Sequence, residues 1–173
     1  MNEVLQINIT DGSEPVTLQQ AKDFIRVTSE DDDAIITDLI TVARQKIERF
    51  TGLTLTDADI TLTATLHGKF KLPYGPLDEI DTVKFLEGQE TDGTNDWETL
   101  DADEYQIVAG HFIPKYKGTY EITYSVTGNT DKSLLYDLKR VLLWLYENRG
   151  DDSDEMPKEL MSNAKHLKVL SWV

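Results

Sequence analysis

There is no cysteine among the 173 residues. That excludes disulfides, thiolate nucleophiles and cysteine-ligated zinc or iron–sulfur centres, and it fits a reducing compartment. Histidine is almost as scarce: His67, His111 and His166 stand apart, none at ligand spacing from another histidine or a glutamate. Each reads as a surface or packed side chain rather than part of a metal centre. No apolar run approaches the length of a membrane span, and the opening MNEVLQINITDGSE lacks the basic start of a signal peptide. The expectation is a soluble chain made in the cytoplasm, with no membrane partner. Walker A, G-x-G-x-x-G and G-x-S-x-G signatures are missing, and Ser13, Ser29 and Ser125 have no nearby partner that would make a nucleophile. Asp92, Thr94 and Asp96 imitate the first ligands of a calcium loop, but Trp97 stands where that loop needs glycine. The reading is a protein that is no enzyme and takes no cofactor or metal.

Positive charge is also in short supply. The chain has 17 basic against 32 acidic residues, a net charge of −15, which argues against gripping a nucleic-acid backbone. Residues 131–173 hold eight acids and seven bases, so nearly all the excess lies in the first 130. Two readings are open: a device for solubility, or a channel wall that DNA slides past without sticking.

What is present reads as helix, strand and helix in turn. Thr17 and Gln20 fit a capping box ahead of Leu18, Ala21 and Ile25 at helical spacing. A second helix starts within 30–33, where carboxylates suit the positive end of the helix dipole. Arg44, Lys46 and Arg49 lie near its negative end. Ile36, Leu39, Ile40, Ala43, Ile47 and Phe50 form its apolar stripe, and Gly52 its left-handed cap. The pattern then alternates. Strands are expected at Ile60–Leu66, Lys69–Leu72, Thr82–Leu86, Tyr105–Val108, His111–Pro114 and Thr119–Val126. Between them Glu87–Asp96 reads as a polar hairpin loop turning at Asp92-Gly93. Trp97 and Tyr74 are candidate anchors of this β-rich region. Leu134, Leu138, Val141, Leu142 and Leu145 mark a helix over about 131–148. Pro157 fits the first turn of a last helix reaching about Leu167. The apolar tail Leu170, Trp172, Val173 needs a groove, its own or a partner's.

The fold class expected is therefore α+β. Helices over about 17–52 and 131–167 form one bundle, with a β-rich insertion over about 58–127, all within a single domain spanning 1–173.

The order of these signals resembles one family. It runs Glu14-Pro15-Val16-Thr17-Leu18, Ala21-Lys22, Ile25-Arg26-Val27, Asp31-Asp32-Asp33, Ala43-Arg44 and Ile47-Glu48-Arg49-Phe50-Thr51-Gly52. It continues with Leu72-Pro73-Tyr74-Gly75-Pro76-Leu77 and ends with Leu142-Leu143-Trp144-Leu145-Tyr146-Glu147-Asn148-Arg149. This is similar to the head–tail connector (adaptor, head-completion) proteins of tailed bacteriophages and prophages. The longer acidic loop at Glu87–Asp96 and the tail His166–Val173 depart from the pattern. The resemblance implies a structural virion protein: a dodecameric homo-oligomeric ring on the portal protein, bridging it to a stopper or tail-completion protein. DNA would pass through that ring without specific binding. By the same resemblance the C-terminal segment engages the portal, making Leu167, Leu170, Trp172 and Val173 the contact candidates. A ring uses head-to-tail contacts, so Asp31, Asp32, Asp33 and Asp38 are candidates to meet Arg44, Lys46 and Arg49 of a neighbour. The alternative is an acidic module that mimics DNA and inhibits a nuclease or repressor.

Overall fold

The computed structural model describes residues 1–89, 94–149 and 157–167. The chain divides into two compact units, each assembled from two stretches of sequence: Met1–Gly12 with Asp57–Gly128, and Ser13–Thr56 with Asn129–Val173.

The first unit is all β. Strands β1 (Glu3–Asp11), β2 (Ala58–Leu66), β4 (Leu77–Gln89), β5 (Asn95–Thr99) and β8 (Gly118–Val126) form an antiparallel five-stranded sheet in the order β1-β2-β8-β4-β5. Strands β3 (Phe70–Lys71), β6 (Tyr105–Val108) and β7 (His111–Pro114) form a second sheet in the order β3-β7-β6. The alternation read from β2 and β8 sets the core. Ile60, Leu62, Ala64 and Leu66 stand in register with Tyr124, Ile122, Tyr120 and Gly118, and the apolar members of both rows are buried. One face of each strand is thus committed inward, which fixes the register. Phe112 of β7 meets the Tyr120 ring edge-on at 5.3 Å and lies against Tyr105 at 5.4 Å. Both central tyrosines satisfy their hydroxyls on backbone carbonyls: Tyr120 on Tyr116 at 2.7 Å, Tyr124 on Pro73 at 2.9 Å.

Two sequence expectations change here. The N-terminus, read only for what it lacks, forms β1 and pairs with β2 from Glu3 to Asp11. The Glu87–Asp96 loop is shorter than expected, because β4 runs to Gln89 and β5 begins at Asn95, with Gly88 opposite Asp96. The Asp92-Gly93 turn lies outside the described residues. Trp97 sits in β5 opposite Leu86.

The second unit is helical: α1 (Leu18–Ile25), α2 (Asp33–Thr51), α3 (Lys132–Glu147), a 3-10 turn (Lys158–Met161) and α4 (Ala164–Leu167). The capping box forms as read, the Thr17 hydroxyl accepting from the Gln20 N–H at 3.2 Å and the Gln20 side chain accepting from the Thr17 N–H at 3.1 Å. Gly52 ends α2 at φ 73°. Ile36, Ile40, Ala43 and Ile47 of α2 pack with Leu134, Leu138, Val141 and Leu142 of α3, and with Ala21 and Ile25 of α1, into one buried core. The expected single helix after Pro157 is instead two short pieces. Asn163 and Ala164 donate their backbone N–H groups to Asp137 of α3, so the chain restarts its helix there on an external cap.

Candidate functional site

The helical unit carries the residues singled out by sequence, and their surroundings sort them. Along α2 the face opposite the core presents Ile35, Asp38, Val42, Gln45 and Arg49, all exposed and spaced by alternate threes and fours. Such spacing keeps them on one stripe of the helix. Ile35 is 45% and Val42 38% exposed, large apolar side chains without cover. Asp38, Lys46 and Arg49 form no ion pair among the described residues. Along the stripe apolar Ile35 comes first, Asp38 lies between it and Val42, and Arg49 stands near the end of the helix.

Other candidates are engaged within their own chain. The Asp31 carboxylate accepts from the Ser29 hydroxyl at 2.5 Å. Asp33 pairs with Lys22 of α1 at 2.5 Å, holding a nearly buried ammonium at the start of α2. Asp32 receives the Tyr146 hydroxyl at 2.5 Å and the Arg149 guanidinium at 3.1 Å, and that guanidinium lies 4.1 Å from the centre of the Tyr146 ring. The tyrosine hydrogen bond, with the arginine second, holds the Asp32 carboxyl below the ordinary carboxylate range. The same bond raises the Tyr146 phenol. This triangle ties the first turn of α2 to the end of α3, which accounts for the Tyr146-Glu147-Asn148-Arg149 signal in structural terms.

Arg44 is withdrawn from the surface altogether, at 2% exposure. Its Nε donates to Glu14 at 2.9 Å and its Nη1 to Glu48 at 2.9 Å. Glu14 also accepts from the Thr41 hydroxyl, and Glu48 from the Leu55 N–H, each at 2.8 Å. The guanidinium is thus engaged within its own chain. Glu48 was legible as the residue four places on; Glu14, thirty residues away, was not. Asp137 was also missed, although a carboxylate between Leu134 and Leu138 on an apolar stripe is itself a signal that a buried charge has partners. It is fully buried and accepts the Asn163 N–H and side-chain amide at 2.9 Å and the Ala164 N–H at 2.8 Å.

Of the tail candidates, Leu167 closes α4, while Leu170, Trp172 and Val173 lie outside the described residues. His111 Nδ1 is 3.1 Å from the Ala109 carbonyl. Among the described residues no group of three or more His, Asp or Glu is gathered to hold a metal, and no helix is long and apolar enough to cross a membrane.

Residues 15–84, covering α1, α2, β2, β3 and the start of β4, match the family model of the phage gp6-like head-tail connector proteins. A search of curated proteins gives no match. Solved structures share the fold over nearly the whole length. A chain from the neck of an empty GTA particle, computed with C6 symmetry, superposes with TM-score 0.74 at 15% identity, covering 98% of both chains. A chain from the neck of the native GTA particle, computed with C12 symmetry, gives 0.73 at 15% identity over 98% of both. One from the virion of the native gene transfer agent gives 0.72 at 16%, again over 98% of both. The helix pair with its capping box and glycine stop and the opening strands of the β-rich insertion are the part of this chain that is similar to the phage gp6-like head-tail connector proteins, over residues 15–84.

Proposed function

We propose that this chain is one subunit of a dodecameric ring docked on the phage portal vertex. The ring bridges the portal protein to the next head-completion or tail component and lets the genome pass through its centre. The observation that carries this reading is the conjunction of the connector match over residues 15–84 with the uncovered stripe of α2 inside that stretch. The neck structures that share the fold, one computed with C12 symmetry, support the ring. A closed ring joins two different surfaces of each subunit, and a stripe that sets apolar Ile35 and Val42 beside the opposite charges of Asp38 and Arg49 gives such a contact both area and direction. In this arrangement Ile35 and Val42 form the buried part of the joint, and Asp38, Lys46 and Arg49 are the charges at its margin. Asp31, Asp32 and Asp33 contribute at the start of the same helix. The apolar tail from Leu167 through Leu170, Trp172 and Val173 is the portal contact. The two compact units act as a single connector subunit, made in the host cytoplasm and carried in the virion.

Negative-stain imaging of the purified chain, alone and mixed with DNA-filled tailless capsids that retain their portal, tests the assignment. Rings, or added density confined to the portal vertex, support it; monomers that ignore the vertex overturn it. Ile35→Asp and Val42→Asp are expected to abolish rings while leaving the circular dichroism spectrum unchanged, because both side chains are exposed in the subunit.

A further inference from the structure

The five-stranded sheet has two edges of opposite character. β5 carries Asp96 and Glu98, and charges along an edge strand deter further pairing. β1, at the other edge, carries charge only at its ends, Glu3 and Asp11, and the run Val4–Thr10 between them holds no charge, proline or glycine. One side of β1 bonds to β2, and among the described residues no backbone group pairs with the other. That side is a row of free N–H and C=O groups.

The side chains agree with the backbone. Val4, Ile7 and Ile9 stand opposite Ala64, Leu62 and Ile60, whose side chains are wholly buried. Yet Val4 and Ile9 are 44% and 39% exposed, and Leu5, at the register shift, is 54% exposed. The apolar face of the sheet thus continues onto a strand whose Ile7 packs partly against the core, while Val4 and Ile9 lack cover among the described residues. The edge is also held firmly. Asn2 accepts from the His67 N–H at 2.8 Å and donates to the Lys69 carbonyl at 3.1 Å, while the Gly12 N–H donates to the Asp57 carbonyl at 2.7 Å. A Cβ at Gly12 would come within 2.8 Å of that carbonyl oxygen, so glycine is needed for this clasp. From Gln6 to Asp11 the pairing with β2 is unbroken, which leaves a straight template on the open side.

Charge selects the occupant. Two copies of β1 paired antiparallel about Ile7 would set Glu3 of each opposite Asp11 of the other, and like charges directly opposite are destabilising. A strand with basic ends has the opposite effect. We propose that β1 is an acceptor edge that takes an extended segment of a partner polypeptide as a sixth strand. The segment carries apolar residues at alternate positions and lysine or arginine at its ends. Main-chain hydrogen bonds supply the affinity, and the half-exposed apolar row and acidic ends supply the selectivity. The proposal rests on the sheet alone and not on the connector reading.

The test uses the full chain and two fluorescent nine-residue probes, the length of β1, with valine at alternate positions, threonine between, and either lysine or glutamate at both ends. Fluorescence anisotropy should show the lysine-ended probe binding at least about tenfold more tightly. Hydrogen exchange should slow within residues 3–11 when it is bound. The double variant Val4→Lys/Ile9→Lys, its fold checked by circular dichroism, should lose that binding by at least about tenfold, since lysines on an edge strand block pairing. Equal binding of both probes, or binding that protects any region other than β1, overturns the proposal. So does protection of β1 in the free chain that rises with protein concentration, because a second copy would then fill the edge.

Discussion

At the scale of single residues the energetics concentrate in a few buried polar groups. Arg44 joins Glu14, upstream of α1, to Glu48 within α2 and so closes the helical unit on itself. Removing one partner of such a pair leaves a charge buried without compensation, at a cost of about 3–5 kcal/mol. Arg44→Met should therefore lower the melting temperature by roughly 10 °C. Arg44→Met/Glu48→Gln should recover part of the loss, since it removes the stranded carboxylate, and calorimetry of the three proteins checks both statements. Thr56 presents the reverse case, a buried hydroxyl with no hydrogen-bond partner among the described residues. Thr56→Val replaces it at nearly the same shape and should stabilise the protein by about 1 kcal/mol. Tyr124 bears on stability at alkaline pH. Burial raises its phenol above the ordinary value, and its hydroxyl proton is committed to the Pro73 carbonyl. A raised folded-state pKa means that its contribution is intact below about pH 10, the unfolded value, and is lost as pH rises beyond it. The slope is about 1.4 kcal/mol per pH unit. Tyr124→Phe should flatten the fall in stability between pH 10 and 12 relative to the native chain, as read by urea denaturation at each pH.

At the scale of elements, local signals and long-range ones separate cleanly. The Thr17–Gln20 box and the Gly52 stop are decided within four residues and were readable; the Asp131 cap of α3, whose carboxylate accepts the Ser133 N–H at 2.7 Å, is as local and was passed over. So were the strands with one wholly buried face, because burial imposes a strict period of two. β1 escaped because it is an edge whose apolar residues are half exposed and whose register shifts at Leu5, so its alternation is blurred. The break at residues 162–163 escaped for a different reason: its cause, Asp137, lies 26 positions earlier. The stripe of α2 was only half legible. Composition gave its charges, but which of them stay at the surface depended on Glu14 closing over Arg44 and on Lys22 meeting Asp33. Asp137→Ala tests the element directly. It removes the acceptor for two backbone N–H groups and one amide, so hydrogen exchange at Asn163 and Ala164 should accelerate toward the unprotected rate. Exchange in the middle of α2 should change little. Arg140, which reaches both Asp137 at 3.5 Å and the Ser162 hydroxyl at 3.2 Å, cannot substitute because it offers no acceptor.

At the scale of the whole molecule the dominant quantity is the net charge of −15. Copies brought side by side repel, and the repulsion extends over a screening length of about 30 Å at 0.01 M salt but only about 8 Å at 0.15 M. In the proposed ring, the burial of Ile35 and Val42 and ion pairs made by Asp38, Lys46 and Arg49 would stand against it. Exposed pairs contribute about 0–1 kcal/mol each, too little to offset the repulsion between two bodies of this charge at low salt. Apolar burial hardly depends on salt over this range, so screening should tip the balance toward assembly. Sedimentation velocity is therefore expected to show association strengthening from 0.01 to 0.15 M salt, with Val42→Asp remaining monomeric at both. Weakening over the same range would mean that ion pairs govern the contact, and the acidic surfaces would then lie against basic ones rather than against each other. The same charge predicts that duplex DNA mixed with the protein at 0.05 M salt migrates unretarded.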